Sequence, residues 1–334
     1  MSDFAVPAPA VPPMPGPPTQ PARRRQRSGM EGVLVVAWLL AVLGTAIFVV
    51  GLVLAALEST GQADQFVGLW IGLPAAIVGG VMVLAGLGAA SYRSIVLRRH
   101  LEDHRYRGPS ILVLLAMVLI VGNMVTLPFI DSFVAMLDGR GEPSGLETLV
   151  VLASTSVVLV TVAFVFVGVP RALPGIRLRP RSWRGVWQRL GLGVLIGGPV
   201  WIVATVISFF VSAGLSAVLD QPPDTQLVEQ LFPHLNPWAA GLVIVLAAPI
   251  SEEVFFRGIV FNAWWREYGF WRALLGSSVV FAAFHFSLFA FVPIFLLALV
   301  LGYVYSQTRS LLTVIAVHAT FNAISTAILL IQTG

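Results

Sequence analysis

Apolar runs near the length that crosses a bilayer follow one another through most of this chain, and they leave few ways for it to fold. Spans are expected at Val33–Leu57, Phe66–Ala90, Ile111–Leu137, Leu149–Val169, Leu190–Leu219, Trp238–Phe261, Ala273–Phe289, Pro293–Ser306 and Leu311–Ile331. A helical crossing needs about 20 apolar residues. Backbone N–H and C=O groups find no water in hydrocarbon, so such runs must satisfy themselves internally. The expected fold is therefore all-α, a polytopic transmembrane bundle of eight or nine spans. The seventh and eighth spans are the hardest to separate. As one helix, Ala273 to Gln307 would be about 52 Å long, against a hydrocarbon core of about 30 Å. The chain must reverse within that run, and Pro293 is its only turn signal.

Composition agrees. Of 334 residues, 57% are hydrophobic and 11% are charged; a soluble domain carries about 25% charge. The absence of cysteine excludes disulfides, thiolate metal sites and cysteine nucleophiles. All 20 basic residues are arginine, which suits a GC-rich bacterial genome and so a bacterial plasma membrane. The net charge of +4 does not point to nucleic acid, because the arginines flank the apolar runs.

Three regions are expected. Residues 1–29 form a Pro- and Ala-rich tail ending in Arg23, Arg24, Arg25 and Arg27, with the composition of a disordered segment. Residues 30–237 hold five spans without a recognisable motif, and 238–331 hold the spans that carry polar residues. Arginine alternates from loop to loop. Ser91–Gly108 and Pro170–Arg189 are rich in it, while the intervening loops are neutral or acidic. Cytoplasmic loops carry the excess of basic residues, so the N-terminus is expected in the cytoplasm and the C-terminus outside.

The sixth span contains Pro249-Ile-Ser-Glu-Glu-Val-Phe-Phe-Arg257. Each charge at membrane depth costs about 2.5–3.5 kcal/mol on the insertion scale, so these side chains need partners. Glu253 and Arg257 are spaced i, i+4 and share a helix face, which suits a supporting ion pair. Glu252 points about 100° away. If it lines an interior cavity, it suits a general base. The seventh span holds Phe281-Ala-Ala-Phe-His285 and the ninth holds His318-Ala-Thr-Phe-Asn322, where His318 and Asn322 also share a face. Counted from cytoplasmic helix ends at 1.5 Å per residue, Glu252, His318 and His285 fall about 10, 13 and 18 Å deep, compatible with one cavity in the cytoplasmic half or middle of the bilayer.

Alone, each of these residues has a structural reading, as a packing histidine, interhelical glue or an ion pair. Together they suit a shared site. Other polar residues carry less. His100 and His104 fit a solvated loop face, His234 an ordinary external loop, and Asp131 the outer interface. Gly258, Gly276 and Gly302 fit close helix packing.

The ordered trio resembles the membrane proteases of the CAAX-processing and bacteriocin-processing family, abbreviated CPBP or Abi. That family is marked by EExxxR, FxxxH and HxxxN or HxxxD on separate transmembrane helices. Here the motifs read Glu252-Glu253-Val-Phe-Phe-Arg257, Phe281 to His285, and His318 to Asn322. The resemblance covers about Trp238 to Ile331 and implies hydrolysis of a peptide bond in a membrane-associated protein or peptide. It implies that Glu252 and His285 activate water, that His318 and Asn322 stabilise the oxyanion, and that Glu253 and Arg257 hold the site in shape. The family has also been described as metalloproteases, in which case Glu252, His285 and His318 would be the ligands of a zinc ion. The sequence leaves the cofactor open between none and Zn. Competing functions are a membrane scaffold or bacteriocin self-immunity protein, and a proton-coupled transporter. The last is disfavoured because no internal repeat is present.

Overall fold

The computed structural model describes residues 20–59, 66–98, 106, 108–129, 132, 135–136, 141–167, 183–220 and 236–333. Among them the chain forms nine helices of ten residues or more and no strand. They are α1 (Gln20–Ser59), α2 (Leu73–Arg98, preceded by a π-wound turn Phe66–Gly72), α3 (Ile111–Thr126) and α4 (Gly145–Val162). Next come α5 (Trp183–Leu219), α6 (Pro237–Tyr268), α7 (Phe270–Ala283), α8 (Leu288–Thr308) and α9 (Leu311–Thr333). Seven are long and apolar enough to cross a membrane; α3 and α7 are shorter apolar helices. Asp131, His100, His104 and His234 lie outside the described residues.

Two expected boundaries move. Helix α1 starts at Gln20, so the tail from Gln20 to Gly29 continues the first helix ahead of the apolar span Glu31–Leu54. Its Gln, Ala and Arg residues are good helix formers, and adding them to an existing helix needs no new nucleus. The reversal after the seventh span falls at Phe284–Ser287, not at Pro293, which is inside α8. Phe286 takes φ 51°, and the Ser287 hydroxyl accepts from Ala290 N–H at 3.0 Å. That cap starts α8, so Pro293 falls early in the helix rather than at the turn.

Helix α1 lies along α2 on a seam of glycines. A methyl group placed on Gly44 would stand 2.8 Å from the Gly79 carbonyl oxygen, and one on Gly86 would stand 2.6 Å from that of Ala37. Only small residues let two backbones approach so closely in lipid. The same device joins α5 to α9, where Gly193 faces Ala316 and Gly197 faces Thr320. Trp201 continues the pair by donating Nε1–H to Ser325 Oγ at 2.9 Å. These contacts advance together along both helices, so α5 and α9 run parallel. Asn322 meets Ile244 while His318 meets Glu253, so α6 runs antiparallel to α9.

One core is built by α3, α4, α6, α7 and α8 around Leu114, Met117, Leu159, Phe255 and Phe281. A second core joins α6, α7, α8 and α9 through Phe261, Leu301, Tyr305 and Val314. The outward faces keep large apolar residues such as Trp38, Trp70, Phe209, Phe210 and Trp271 exposed, as lipid contact requires.

The helix directions sort the described charges. Arg93 and Arg98 lie toward the end of α2, and Arg184 and Arg189 near the start of α5. Arg266 and Arg272 flank the α6–α7 turn, and Arg309 sits in the α8–α9 turn. Arg98 pairs with Glu267 at 3.0 Å, bringing the end of α2 to the end of α6. Arg309 lies 4.0 Å over the Trp265 ring, which ties the α8–α9 turn to that same end. At the opposite end are the start of α4 with Glu142 and Glu147, the end of α5 with Asp220, the start of α6, and the α7–α8 turn.

Candidate active site

Helix α6 is wound unevenly. Gly241–Ala247 and Glu253–Phe261 are π-helical, separated by an α-helical turn from Ala248 to Glu252. Pro249 contributes, since its missing N–H and ring disturb the i→i−4 ladder. Widened turns of this kind recur at functional sites because they re-aim side chains. The wide stretch is anchored at its end by Asn262. Its Nδ2 lies 3.0 Å and 3.1 Å from the carbonyl oxygens of Arg257 and Gly258, and 2.8 Å from the Tyr305 hydroxyl.

Glu253 and Arg257 form the ion pair that their spacing predicts. Arg257 Nη1 donates to Glu253 Oε1 at 2.8 Å, with Glu253 0% and Arg257 2% exposed. Arg257 also donates Nη2–H to the Ala298 carbonyl at 3.1 Å, and its guanidinium lies 4.4 Å from the centre of the Phe281 ring. Cation–π contact of this kind strengthens when the cation is desolvated. Phe281, the first residue of the FxxxH motif, thus holds the arginine of the EExxxR motif.

Glu253 does a second thing that spacing did not indicate. Its Oε1 also lies 3.0 Å from Nδ1 of His318, which is 3% exposed. A carboxylate only accepts, so Nδ1 carries the proton in this contact. The imidazole is thereby oriented with Nε2 turned toward Glu252, 3.9 Å from its Oε2. That distance exceeds a hydrogen bond. Glu252 Oε2 is a buried carboxylate oxygen with no hydrogen-bond partner, and so is Glu253 Oε2.

Glu252, His285, His318 and Asn322 all line one cavity of about 800 Å³, together with Phe256, Phe281 and Trp201. The Phe281 ring lies 5.0 Å from that of His285 and 5.8 Å from that of His318. Nδ1 of His285 faces the Phe281 carbonyl at 2.9 Å, which leaves Nε2 as its second functional nitrogen. Asn322 donates Nδ2–H to the Ile244 carbonyl at 2.9 Å, within the first π-wound stretch. Its amide keeps a second N–H and its oxygen. Glu253 and Arg257 lie behind the cavity wall rather than on it.

One expectation about depth is corrected. The sixth span was expected to end at Phe261, close beyond Arg257. Helix α6 continues to Tyr268 because Asn262–Tyr268 remains helical, capped by Gly269 at φ 84°. Arg257 is therefore well inside the helix, and Glu252 lies farther from that helix end than the about 10 Å counted from the sequence. The contacts to Ile244 and Ala298 carbonyls, and the Trp201–Ser325 bond, were not legible either. Backbone acceptors leave no mark in a sequence, and partners on different helices are set by packing.

The alternative ligand set for zinc is Glu252, His285 and His318. Structural and catalytic zinc sites take donors at about 2.0–2.2 Å from one point. Nδ1 of His318 faces Glu253 and Nδ1 of His285 the Phe281 carbonyl, which leaves Nε2 of each ring as the nitrogen a metal would take. Among the described residues no three His, Asp or Glu side chains converge as a metal-binding group. In this arrangement the three side chains do not meet at one metal position.

Residues 234–324 match the family of type II CAAX prenyl endopeptidase Rce1-like proteins. The match contains all three motifs and bears out the resemblance over that segment. It supports an intramembrane peptidase acting on a membrane-associated protein. Helices α1 to α5 lie outside it. No curated protein and no solved structure matches the chain.

Proposed function

We propose that this chain is an intramembrane endopeptidase of the CAAX-processing/Abi type that hydrolyses a peptide bond with a water activated by Glu252. The observation that carries the reading is a buried, unpartnered Glu252 oxygen 3.9 Å from His318 Nε2 on a cavity wall shared with His285 and Asn322. A carboxylate so placed accepts a proton from water as the water oxygen bonds to the substrate carbonyl carbon. His285 Nε2 helps to orient that water. The carbonyl oxygen becomes an oxyanion. Donors aimed at that oxygen lower the barrier because they are fixed before the charge appears. The free Asn322 N–H is one donor. Nε2–H of His318 is the other when the ring is an imidazolium, a form in which Glu252, Glu253, Arg257 and His318 together carry no net charge. Collapse breaks the C–N bond, and the proton held by Glu252 passes to the leaving amine. Glu253 and Arg257 position His318 without touching substrate.

The test is a comparison of membranes holding the parent chain and Glu252→Gln, scored by mass spectrometry for a precursor that accumulates. Glu252→Gln keeps the shape of the side chain and removes its basicity. The cleaved product should fall at least a hundredfold, in line with loss of a general base. If a folded Glu252→Gln chain still cleaves at the parent rate, the assignment of Glu252 fails.

A further inference from the structure

Pro249 is buried within α6, between the two residues of that helix that hold α9. These are Ile244, whose carbonyl takes Asn322 Nδ2–H, and Glu253, whose carboxylate takes His318 Nδ1–H. Proline has no N–H to give, and the winding decides which carbonyl goes without. In π-wound Gly241–Ala247 the N–H groups reach back five residues. The Ala248 N–H keeps that pattern and donates to the Val243 carbonyl. The Ile244 carbonyl is next, and its donor in the same winding is the N–H of residue 249, which is the proline. The donor of ordinary α winding, the Ala248 N–H, is already given to Val243. The Ile244 carbonyl is thereby left for a partner outside its own helix.

A membrane helix tolerates proline when a neighbour satisfies the backbone group that proline frees. Here the neighbour is Asn322 on α9, at 2.9 Å. Ile244 and Asn322 both line the cavity. The asparagine amide is planar, so engaging one of its N–H groups fixes the direction of the other. A backbone carbonyl is a firm anchor, because it moves only with its helix. Donors act on a developing oxyanion because they are fixed before the charge appears. With an N–H at residue 249, α6 would close on its own carbonyl and Asn322 would have to compete for it.

We propose that Pro249 is a positioning residue for Asn322. By withholding an N–H it leaves the Ile244 carbonyl to hold the asparagine amide, so that the second N–H is set for the oxyanion. The catalytic part of this assignment rests on the peptidase reading; the bond and its cause do not. The test compares four full-length chains, the parent, Pro249→Ala, Asn322→Ala and the double variant, with Glu252→Gln as the inactive reference. Pro249→Ala restores an N–H at residue 249, in a residue well suited to helix. Asn322→Ala should lower the melting midpoint of the parent in detergent micelles, because it strands the carbonyl. It should shift that of Pro249→Ala by less than half as much, since there the carbonyl has a donor in its own helix; such non-additivity marks coupled sites. Removing an oxyanion donor outright costs about a hundredfold or more. Pro249→Ala should therefore slow processing of the precursor that accumulates in Glu252→Gln membranes by at least about tenfold per folded chain. Pro249→Gly supplies the same N–H and takes the place of Pro249→Ala in the cycle if that chain does not fold. Equal melting shifts on Asn322→Ala in both backgrounds overturn the proposal, as does processing by Pro249→Ala at the parent rate. A further tenfold loss when Pro249→Ala is added to Asn322→Ala also overturns it. If Glu252→Gln accumulates no precursor, the peptidase reading fails, and the melting cycle by itself still decides whether Pro249 assigns the carbonyl to Asn322.

Discussion

Replacing Arg257 by leucine isolates what holds the polar site together. The guanidinium is 2% exposed, neutralises Glu253 at 2.8 Å, donates to the Ala298 carbonyl and lies over Phe281. Leucine fills part of that volume but leaves the Glu253 carboxylate buried with only His318 beside it. Breaking a buried pair in this way costs about 3–5 kcal/mol, or about two to three and a half powers of ten in the folding constant. The second variant, Glu253→Gln with Arg257→Leu, removes the stranded charge and keeps an amide oxygen for His318 Nδ1–H. It still loses the bond to Ala298, worth about 1.5–3 kcal/mol for a charged donor. The double variant should therefore be clearly more stable than Arg257→Leu alone, though below the parent. Unfolding in mixed micelles with increasing SDS measures all three. Equal stability of parent and Arg257→Leu, or a double variant no better than the single, would refute the ion pair as the organising contact.

Other outcomes follow from contacts away from the cavity. Burial, opposed by Arg98 and reinforced by Glu267, raises the Tyr106 phenol above its ordinary value of 10.0. A raised folded value means that its contribution to stability is intact below the unfolded value and fades as pH climbs above about 10. Tyr106→Phe should flatten that alkaline loss in pH-dependent melting. Because the Tyr106 hydroxyl is buried without a partner, the change should cost little at neutral pH. On the α1–α2 seam, a methyl at Gly79 would press on the backbone of Phe48 and stand 2.6 Å from the Gly44 carbonyl oxygen. Gly79→Val should destabilise the chain by about 1–3 kcal/mol, the usual cost of overpacking, while peptide cleavage by the fraction still folded is unchanged. Melting and specific activity on the same sample separate the two effects.

The sequence determined by itself everything that depends on neighbours along the chain. Apolar run length implied a bundle of eight or nine helical spans because hydrocarbon admits no unsatisfied backbone. The i, i+4 rule paired Glu253 with Arg257 because both partners ride on one helix. The same rule grouped His318 with Asn322 but could not say that the asparagine would turn one N–H to Ile244. Turn position was less legible. Pro293 is a strong local signal, yet the reversal is made at Phe286 and Ser287 and Pro293 is carried inside α8.

What the tertiary structure alone decided is the joining of the motifs. His318 reaches Glu253 across 65 residues of chain, and Phe281 supports Arg257 from a third helix. Contacts of this sort depend on how helices are rotated and stacked, which glycine seams and π-wound turns settle through many small packing energies. Arginine counts sort the loops, but only the packing of α5 on α9 shows that these two helices run parallel.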